Sequence, residues 1–289
     1  MLVSASNTVA TEQPAPSPFG LLSPAVTVVE NNDERWIRGF PYETFDGTAE
    51  VSNWPIAKSS SNEGSVVLEN QGLPVARLYY PFDIKASITS STMGTNPEEV
   101  YETAKQALDV VTQKAIEHEF WSGEVAKNVT ESFAEGTRYL SHEDAIDVTP
   151  DGGAVRVRYG QALLEQALGE ATIGSAGVIH APRLIASALE ASDVDGALTT
   201  NLGTKVVAGS GYSNTGPDGA IAPTGKAWMY ATGPVTVNLG KLHIVPGTVS
   251  QAVDSKVNTI TYFVDRPAAV TWSTSLLYAV LVDLTLDYV

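Results

Sequence analysis

The chain contains no cysteine among its 289 residues. This absence excludes disulfide frameworks, thiolate metal sites and catalytic cysteine nucleophiles, and it leaves the redox compartment open. Hydrophobic residues make up 43% of the sequence. The chain can therefore bury a substantial globular core, and burial rather than covalent crosslinking must hold its fold together.

Long apolar runs are also absent. The longest run near the C-terminus, residues 276–282, is far shorter than the roughly 20 residues that a membrane-spanning helix needs. The N-terminal sequence MLVSASNTVATEQPAP has neither the basic start nor the apolar centre of a signal peptide. We expect a soluble protein that is made in the cytoplasm.

Positive charge is scarce. The chain has 17 Lys and Arg residues against 33 Asp and Glu residues, which gives a net charge of −16. Such a surface repels phosphates, so we expect no sequence-independent binding of nucleic acid or of anionic membranes. Two interpretations remain open: the charge keeps the protein soluble, or it lets the protein lie beside DNA without adhering to it.

Motifs for phosphates, dinucleotides and calcium are incomplete. Residues 219–227 have one residue too many for a phosphate-binding loop and lack the hydroxyl that would hold Mg²⁺. Residues 209–211 lack the third glycine of a dinucleotide loop, and residues 193–196 lack the acidic residue that completes a calcium loop. A GxSxG nucleophile elbow is absent from the sequence.

The histidines and clustered carboxylates do not form a catalytic or metal-binding pattern. The four histidines, which share no metal-ligand spacing, are His118, His142, His180 and His243. His118 and Glu119 begin an HExxH-like sequence, but Ser122 stands where the second histidine would be. His180 is predicted to be a structural histidine with satisfied hydrogen bonds.

The acidic residues near position 120, which are Glu117, Glu119 and Glu124, are interpreted as a solvated helix face. Paired catalytic carboxylates are the less favoured alternative. We therefore predict no catalytic residue, no cofactor and no metal site, and we expect that the protein is not an enzyme.

One long helix is the strongest structural signal. Pro97 suits the first helical position, and Asn96 with Glu99 forms a capping-box pattern in which Asn96 would accept from the Glu99 amide. Gly123 suits the left-handed position after the last turn. The helix would span about 25 residues, or roughly 37 Å. The residues that predict its apolar face are Val100, Ala104, Ala107, Leu108, Val111 and Ala115.

The sequence before this helix predicts two extended parts. Residues 1–34 contain no Lys or Arg and carry four prolines, so we predict an extended arm that docks on a neighbouring subunit, with a mobile tail as the alternative. Residues 35–76 have two apolar segments on either side of a polar tip at residues 58–64. This pattern predicts an extended hairpin.

The sequence after the long helix is mixed and then rich in strands. We predict a helix over residues 155–168, a buried strand over residues 177–180 and a helix opened by Pro182. The further predicted strands are residues 205–208, 227–231, 235–239, 241–245, 259–265, 268–272 and 277–286. The predicted fold class is α+β.

Several short segments occur in an order that is typical of one family. In chain order they are Pro81-Phe82-Asp83, Ser91-Thr92-Met93-Gly94, Glu117-His118-Glu119-Phe120-Trp121-Ser122-Gly123, Val178-Ile179-His180-Ala181-Pro182, Leu202-Gly203-Thr204-Lys205-Val206-Val207, Tyr230-Ala231-Thr232-Gly233-Pro234-Val235 and Asp265-Arg266-Pro267-Ala268-Ala269-Val270-Thr271-Trp272. Together they resemble the major capsid protein of tailed bacteriophages, whose Hong Kong ninety-seven type fold also builds encapsulin compartments.

The resemblance implies a phage major-capsid-type fold with five parts. These are an N-terminal arm (1–40), an extended hairpin loop (41–76), a peripheral domain with a spine helix (77–129), an axial domain (130–245) and return strands of both domains (246–289). Some members of the family carry a helical N-terminal scaffolding region, and the proline-rich start of this chain is a poor match to one.

The implied function is self-assembly, as hexamers and pentamers, into an icosahedral shell that encloses a phage genome. The implied partners are other copies of the chain and scaffolding, portal and decoration proteins, and the implied location is the virion, after synthesis in the host cytoplasm. Phe19, Trp36 and Trp54 are the candidate interface anchors, because aromatic side chains dominate interface energetics. An encapsulin-like compartment shell and an unrelated α+β enzyme or binding module remain the alternatives.

Overall fold

The computed structural model of the chain describes residues 17–31, 33, 36, 40–43, 49–51, 66–68, 76–79, 81–128, 139–151, 153–171, 177–273 and 276–285. The strands before the long helix are β1 (Thr27–Asn31), β2 (Phe40–Glu43), β3 (Ala49–Val51), β4 (Val66–Leu68), β5 (Ala76–Tyr79) and β6 (Phe82–Ser91). The strands after it are β7 (Ile146–Asp147), β8 (Val178–Pro182), β9 (Ala191–Val194), β10 (Ala197–Thr200), β11 (Lys205–Gly209), β12 (Lys226–Thr232), β13 (Val235–Gly240), β14 (His243–Val245), β15 (Val253–Asp254), β16 (Thr259–Trp272) and β17 (Leu277–Asp283). The helices are α1 (Pro97–Ser122), α2 (Val157–Ala171), α3 (Arg183–Ala186), α4 (Val249–Ala252) and a 3-10 helix (Ala126–Asn128).

The long helix α1 has the predicted ends. Its 26 residues begin at Pro97, and Gly123 follows it with a φ of 63° while its N–H donates to the Glu119 carbonyl. Asn96 caps the first turn, although its side chain accepts from the amide of Glu98 at 3.1 Å rather than from that of Glu99. The strong local signals at both ends explain why the sequence predicts this helix so well.

The buried face of α1 differs from the predicted one. Val111 is 42% exposed, whereas Thr112 and Gln113 are buried. The apolar row follows steps of four residues through Leu108 and Ile116, so it passes through position 112 instead of 111. Polar residues on the helix are therefore buried where the predicted apolar stripe would have left them in solvent.

The hairpin before α1 is present in the backbone. Strand β2 pairs with β5 in antiparallel register, and farther along the hairpin β3 pairs with β4. This nesting confirms the predicted extended hairpin. Residues 52–65, which include Trp54 and the polar tip predicted at residues 58–64, lie outside the described residues.

A six-stranded sheet carries α1 on one face. Its path is β1–β13–β16–β14, and β6 and β15 also pair with β16. The two segments predicted separately at residues 259–265 and 268–272 form one strand, β16. Pro267 lies where the neighbour of β16 changes from β14 to β13. Proline has no backbone N–H to donate, and at this interruption of the ladder the missing donor costs little stability. Tyr101 of α1 packs edge-on against Tyr262 at 5.5 Å.

A seven-stranded mixed sheet forms the other large layer. Its order is β7–β17–β12–β8–β11–β10–β9. Every residue of β8 is buried, which confirms the buried strand predicted near residues 177–180. Helix α2 packs on β12 and β17 near the predicted range, while α3 contains only four residues. Strand β17 ends at Asp283, before the predicted end at residue 286, which lies outside the described residues.

The chain crosses between the two large sheets more than once. Strands β13 and β14 fall within the range 130–245 that was expected to form the axial domain, yet they lie in the six-stranded sheet with β6. Strand β17 then returns to the seven-stranded sheet. Sheet membership therefore does not follow the order of residues along the chain. None of the helices in the described ranges is long and apolar enough to cross a membrane.

Two glycines of α2 should respond oppositely to alanine. A Cβ at Gly160 would lie 2.5 Å from Val282 Cγ1 of β17, whereas a Cβ at Gly169 would meet nothing within 4 Å. We expect Gly160→Ala to destabilise the fold by about 1–3 kcal/mol through overpacking. Gly169→Ala should stabilise it by about 0.5–1 kcal/mol, because alanine restricts the unfolded chain. Urea unfolding of the two variants measures both effects, and equal effects would contradict this description of the α2–β17 contact.

Candidate functional site: the Glu117 cluster

The first described segment of the N-terminal arm lies on its own subunit. The Phe19 carbonyl accepts from the Ala208 amide of β11 at 2.7 Å, and the Ser17 carbonyl accepts from Gln113 Nε2 of α1 at 3.0 Å. Arg183 of α3 donates to the Pro18 carbonyl at 2.9 Å. Strand β1 then pairs in parallel with β13. Residues 17–31 therefore pack on their own subunit, and docking of the arm on a neighbouring subunit stays a prediction.

A single buried carboxylate joins this arm to α1 and to the segment that follows β11. Glu117 is 0% exposed. Its Oε1 accepts from the Leu21 amide at 3.0 Å and from Gln113 Nε2 at 2.8 Å. Its Oε2 accepts from the amides of Ser210 and Gly211 at 2.7 and 2.8 Å, and from the Ser210 hydroxyl at 3.1 Å. We refer to these five residues as the Glu117 cluster.

Neutral donors satisfy the charge of Glu117. All five of its hydrogen bonds come from amides and one hydroxyl, and charge-assisted bonds of this kind are about twice as strong as neutral ones. The close approach needs glycine, because a Cβ at Gly211 would collide with the Lys114 carbonyl of α1. A Cβ at Gly20 would similarly collide with the side chain of Gln113.

The interpretation of three acidic residues as one solvated face is wrong for Glu117. Glu119 is half-buried and accepts from the amides of Val125 and Ala126, both at 2.9 Å, and partial burial raises the pKa of its carboxyl. Glu124 is exposed and lies 3.1 Å from His118. The sequence contains one signal for Glu117: Phe120 and Trp121, three and four residues later, share its face of the helix and are buried.

An aromatic cluster continues the packing beyond Glu117. Phe120 lies edge-on to Trp272 of β16 at 5.0 Å and to His180 of β8 at 5.1 Å. Trp121 packs edge-on to Tyr230 of β12 at 4.9 Å. The end of α1 is therefore the place where the two large sheets share one core.

His180 is a structural histidine, as predicted. Its Nδ1 lies 3.0 Å from the Tyr212 hydroxyl and its Nε2 lies 2.9 Å from Thr232 Oγ1. Thr232 Oγ1 itself donates to the Gly233 carbonyl, so it accepts from His180 Nε2–H while Tyr212 donates to Nδ1. Burial lowers the pKa of His180 to about 3. Burial and the charge of Glu117 raise the pKa of Tyr212, which keeps both groups neutral.

The Glu117 cluster suits a structural role. Each carboxylate oxygen of Glu117 is occupied by two or three donors, and both ring nitrogens of His180 have partners, so these groups have no free position for a substrate. Within the described ranges, no group of three His, Asp or Glu side chains could hold a metal ion.

The three predicted interface anchors lie in different surroundings. Phe19 is half-buried where the arm meets β11. Trp36 is 7% exposed, and its ring lies close to Gly240 of β13, so it packs within its own subunit. Trp54 lies outside the described residues. A role for any of them at a subunit interface stays a prediction.

The sequence matches no protein-family model and no curated protein. Its structure is nevertheless similar to solved phage and capsid structures. The capsid of an empty GTA particle computed with C5 symmetry matches with a TM-score of 0.52 and 13% identity, over 96% of this chain and 95% of the other. The capsid of the native GTA particle gives 0.51 and 12% over the same shares. A Mycobacterium phage Adephagia structure gives 0.50 and 13%, over 93% of this chain and 91% of the other.

The chain has the fold of phage major capsid proteins. The similarity covers 93–96% of this chain, and α1 is the long helix that the resemblance predicted as the spine. The α+β fold class predicted from the sequence is confirmed. At this low identity, the capsid fold is preserved although hardly any individual side chain is.

Removing the charge of Glu117 should destabilise this capsid fold. In Glu117→Gln, an amide group would face donors that now bind a carboxylate oxygen, and we expect a loss of about 3 kcal/mol or more. Glu102→Gln makes the same change on an exposed part of the same helix, where an ion pair to Lys105 is lost, and should cost about 0.5 kcal/mol or less. Urea unfolding compares the two variants, and a similar cost for both would contradict the description of the cluster.

His180 should make stability depend on pH in a defined window. The unfolded histidine has a pKa near 6.5, while the folded one has a pKa of about 3. Between these values the unfolded chain binds a proton that the folded chain does not, so stability falls as the pH drops below 6.5. At pH 5 this loss is about 2 kcal/mol.

The variant His180→Gln keeps a hydrogen-bonding side chain but cannot take up this proton. Its loss of stability between pH 7.5 and pH 5 should be smaller than that of the wild-type chain by about 2 kcal/mol. Urea unfolding at both pH values measures the difference. An unchanged pH dependence would show that His180 does not titrate as described.

Proposed function

We propose that this chain is a major capsid protein, which assembles with copies of itself into an icosahedral shell around the genome of a tailed phage. The observation that carries the proposal is that the capsid fold accounts for nearly the whole chain. The similar capsid structures cover 93–96% of this chain, including most of both sheets and the long helix. The protein would be a structural component of the virion.

The parts of the chain would have separate roles in such a shell. Residues 77–129 and 130–245 would form peripheral and axial regions, with residues 246–289 returning through both. Head-to-tail contacts around a rotation axis close into rings, which gives the pentamers and hexamers of a shell. Each contact should be modest, so that a misplaced subunit can leave while many contacts together hold the particle.

The extended hairpin supports contacts between subunits. Strands β2 to β5 form two short two-stranded ladders, and a two-stranded hairpin is only marginally stable by itself in water. A neighbouring subunit would supply the surface that it needs. Trp54 and Phe19 are the proposed anchors at such a contact.

The acidic charge fits a container for DNA. A net charge of −16 disfavours adhesion to phosphates, so packaged DNA could move within the shell without specific binding. We further propose that scaffolding, portal and decoration proteins join the assembly, and that the subunits are made in the host cytoplasm.

Electron microscopy of the purified full-length chain tests the proposal. We expect closed particles built of rings, and their absence under all assembly conditions, with a stable monomer instead, would contradict it. Particles that enclose an enzyme in place of a genome would assign the chain to the compartment shells. The nucleic acid and protein content of particles from infected cells distinguishes these outcomes.

Two deletions separate the arm's role in assembly from its role in folding. Deletion of residues 1–16 leaves the contacts of Leu21 with Glu117 in place, so the subunit should keep its stability but lose shell formation. Deletion of residues 1–26 also removes Leu21, which is fully buried, and should lower the free energy of unfolding by about 3 kcal/mol or more. Normal particles from the shorter deletion would contradict the proposed role of residues 1–16 at a neighbour.

A further inference from the structure

Among the described residues, strand β1 has one free edge. It lies at the end of the six-stranded sheet and pairs with β13 on one side only. In the described part of the chain, Thr27–Asn31 make no backbone hydrogen bond beyond that ladder. Val28 and Val29 are 39% and 41% exposed. A row of backbone donors and acceptors is therefore open to another strand.

This edge lacks the features that normally protect a free strand. Its sequence is TVVEN, with three β-branched residues and no proline or lysine, although proline, lysine and bulges are what usually block pairing. Strand β6 has ten residues and is also an edge, since among the described strands it pairs only with β16, but it carries Asp83 and Lys85. The remaining described edges are shorter than β1: β14 has three residues, β7 and β15 have two each and β9 has four. Strand β1 is the edge best suited to accept a partner.

We propose that β1 pairs in antiparallel orientation with β1 of a second copy across a two-fold axis. This inference rests on the proposed function, since an icosahedral shell relates neighbouring subunits by two-fold axes. In such a pair one residue must oppose itself, because hydrogen-bonded and non-hydrogen-bonded pairs alternate along the ladder. Full overlap of the five residues puts Val29 opposite Val29 of the second copy.

The sequence of β1 is complementary to itself in this register. Thr27 lies opposite Asn31 of the second copy, and Val28 lies opposite Glu30. Glu30, the only charged residue of the strand, therefore faces a valine instead of a carboxylate. Because the chain has a net charge of −16, many other partner strands would bring carboxylates together. The pairing covers the exposed valine side chains of β1 in both copies. It also joins the six-stranded sheets of the two copies, so that neither sheet ends at β1.

Crosslinking tests the register directly, because the chain has no cysteine. Shells of the Val29→Cys variant should give covalent dimers with a short bismaleimide, since directly opposite Cβ atoms are about 4.5–5.5 Å apart. Val110→Cys is the control, since Val110 is also 40% exposed but lies on α1. Dimers from Val29→Cys and not from the control support the proposal, and intact shells without such dimers overturn it.

Charge substitution tests whether position 29 opposes itself. Val29→Lys and Val29→Glu should each lose most of the shell yield when assembled alone, because like charges would meet at the two-fold axis. An equal mixture of the two variants should recover much of the yield, while Val29→Thr should behave like the wild-type chain. Normal yield from Val29→Lys alone would overturn the proposal.

The experiments distinguish failure of the proposed shell function from failure of the proposed β1 pairing. If the wild-type chain forms no shells, the function is contradicted, and crosslinking of the Val29→Cys chain in concentrated solution then decides the pairing. Dimers formed there, and absent from the Val110→Cys control, would support β1 pairing without a shell. Their absence would overturn it.

Discussion

The buried carboxylate of Glu117 is the constraint on which the arrangement of the chain depends. It takes hydrogen bonds from the arm at Leu21, from its own helix at Gln113 and from the segment after β11 at Ser210 and Gly211. A buried charge is very costly unless all its oxygens are satisfied. The fold is therefore stable only when the arm, α1 and the seven-stranded sheet meet at this point, which couples three distant parts of the sequence.

The same end of α1 also carries the apolar contacts between the sheets. Phe120 reaches Trp272 in one sheet and His180 in the other, so one helical turn presents a polar side to the arm and an aromatic side to both sheets. The chain passes several times from one large sheet to the other. The contacts at this helical turn hold the two sheets together. A rigid subunit of this kind can carry a hairpin and a free strand edge at fixed positions.

Local signals explain what could be predicted from the sequence. The caps at Asn96 and Gly123 lie within a few residues of the helix ends that they define, and the hairpin is likewise a short-range pattern. The burial of Glu117 could not be predicted, because its partners outside α1 are 93 to 96 residues away along the chain. A glutamate also has the same sequence signature in solvent and in a polar core. The docking of residues 17–31 was missed for the same reason, since a proline-rich segment does not show which surface it lies on.

The use of neutral donors at Glu117 fits the composition of the chain. Lysine and arginine are only half as frequent as aspartate and glutamate, and an ion pair in the core would bury one of these scarce cations at a high desolvation cost. Backbone amides of Leu21, Ser210 and Gly211 satisfy the charge instead. Arg183 remains at the surface, where it holds the start of the arm. The arm is thus fixed on its own subunit as far as β1, which places the outer edge of β1 where a neighbouring copy can pair with it.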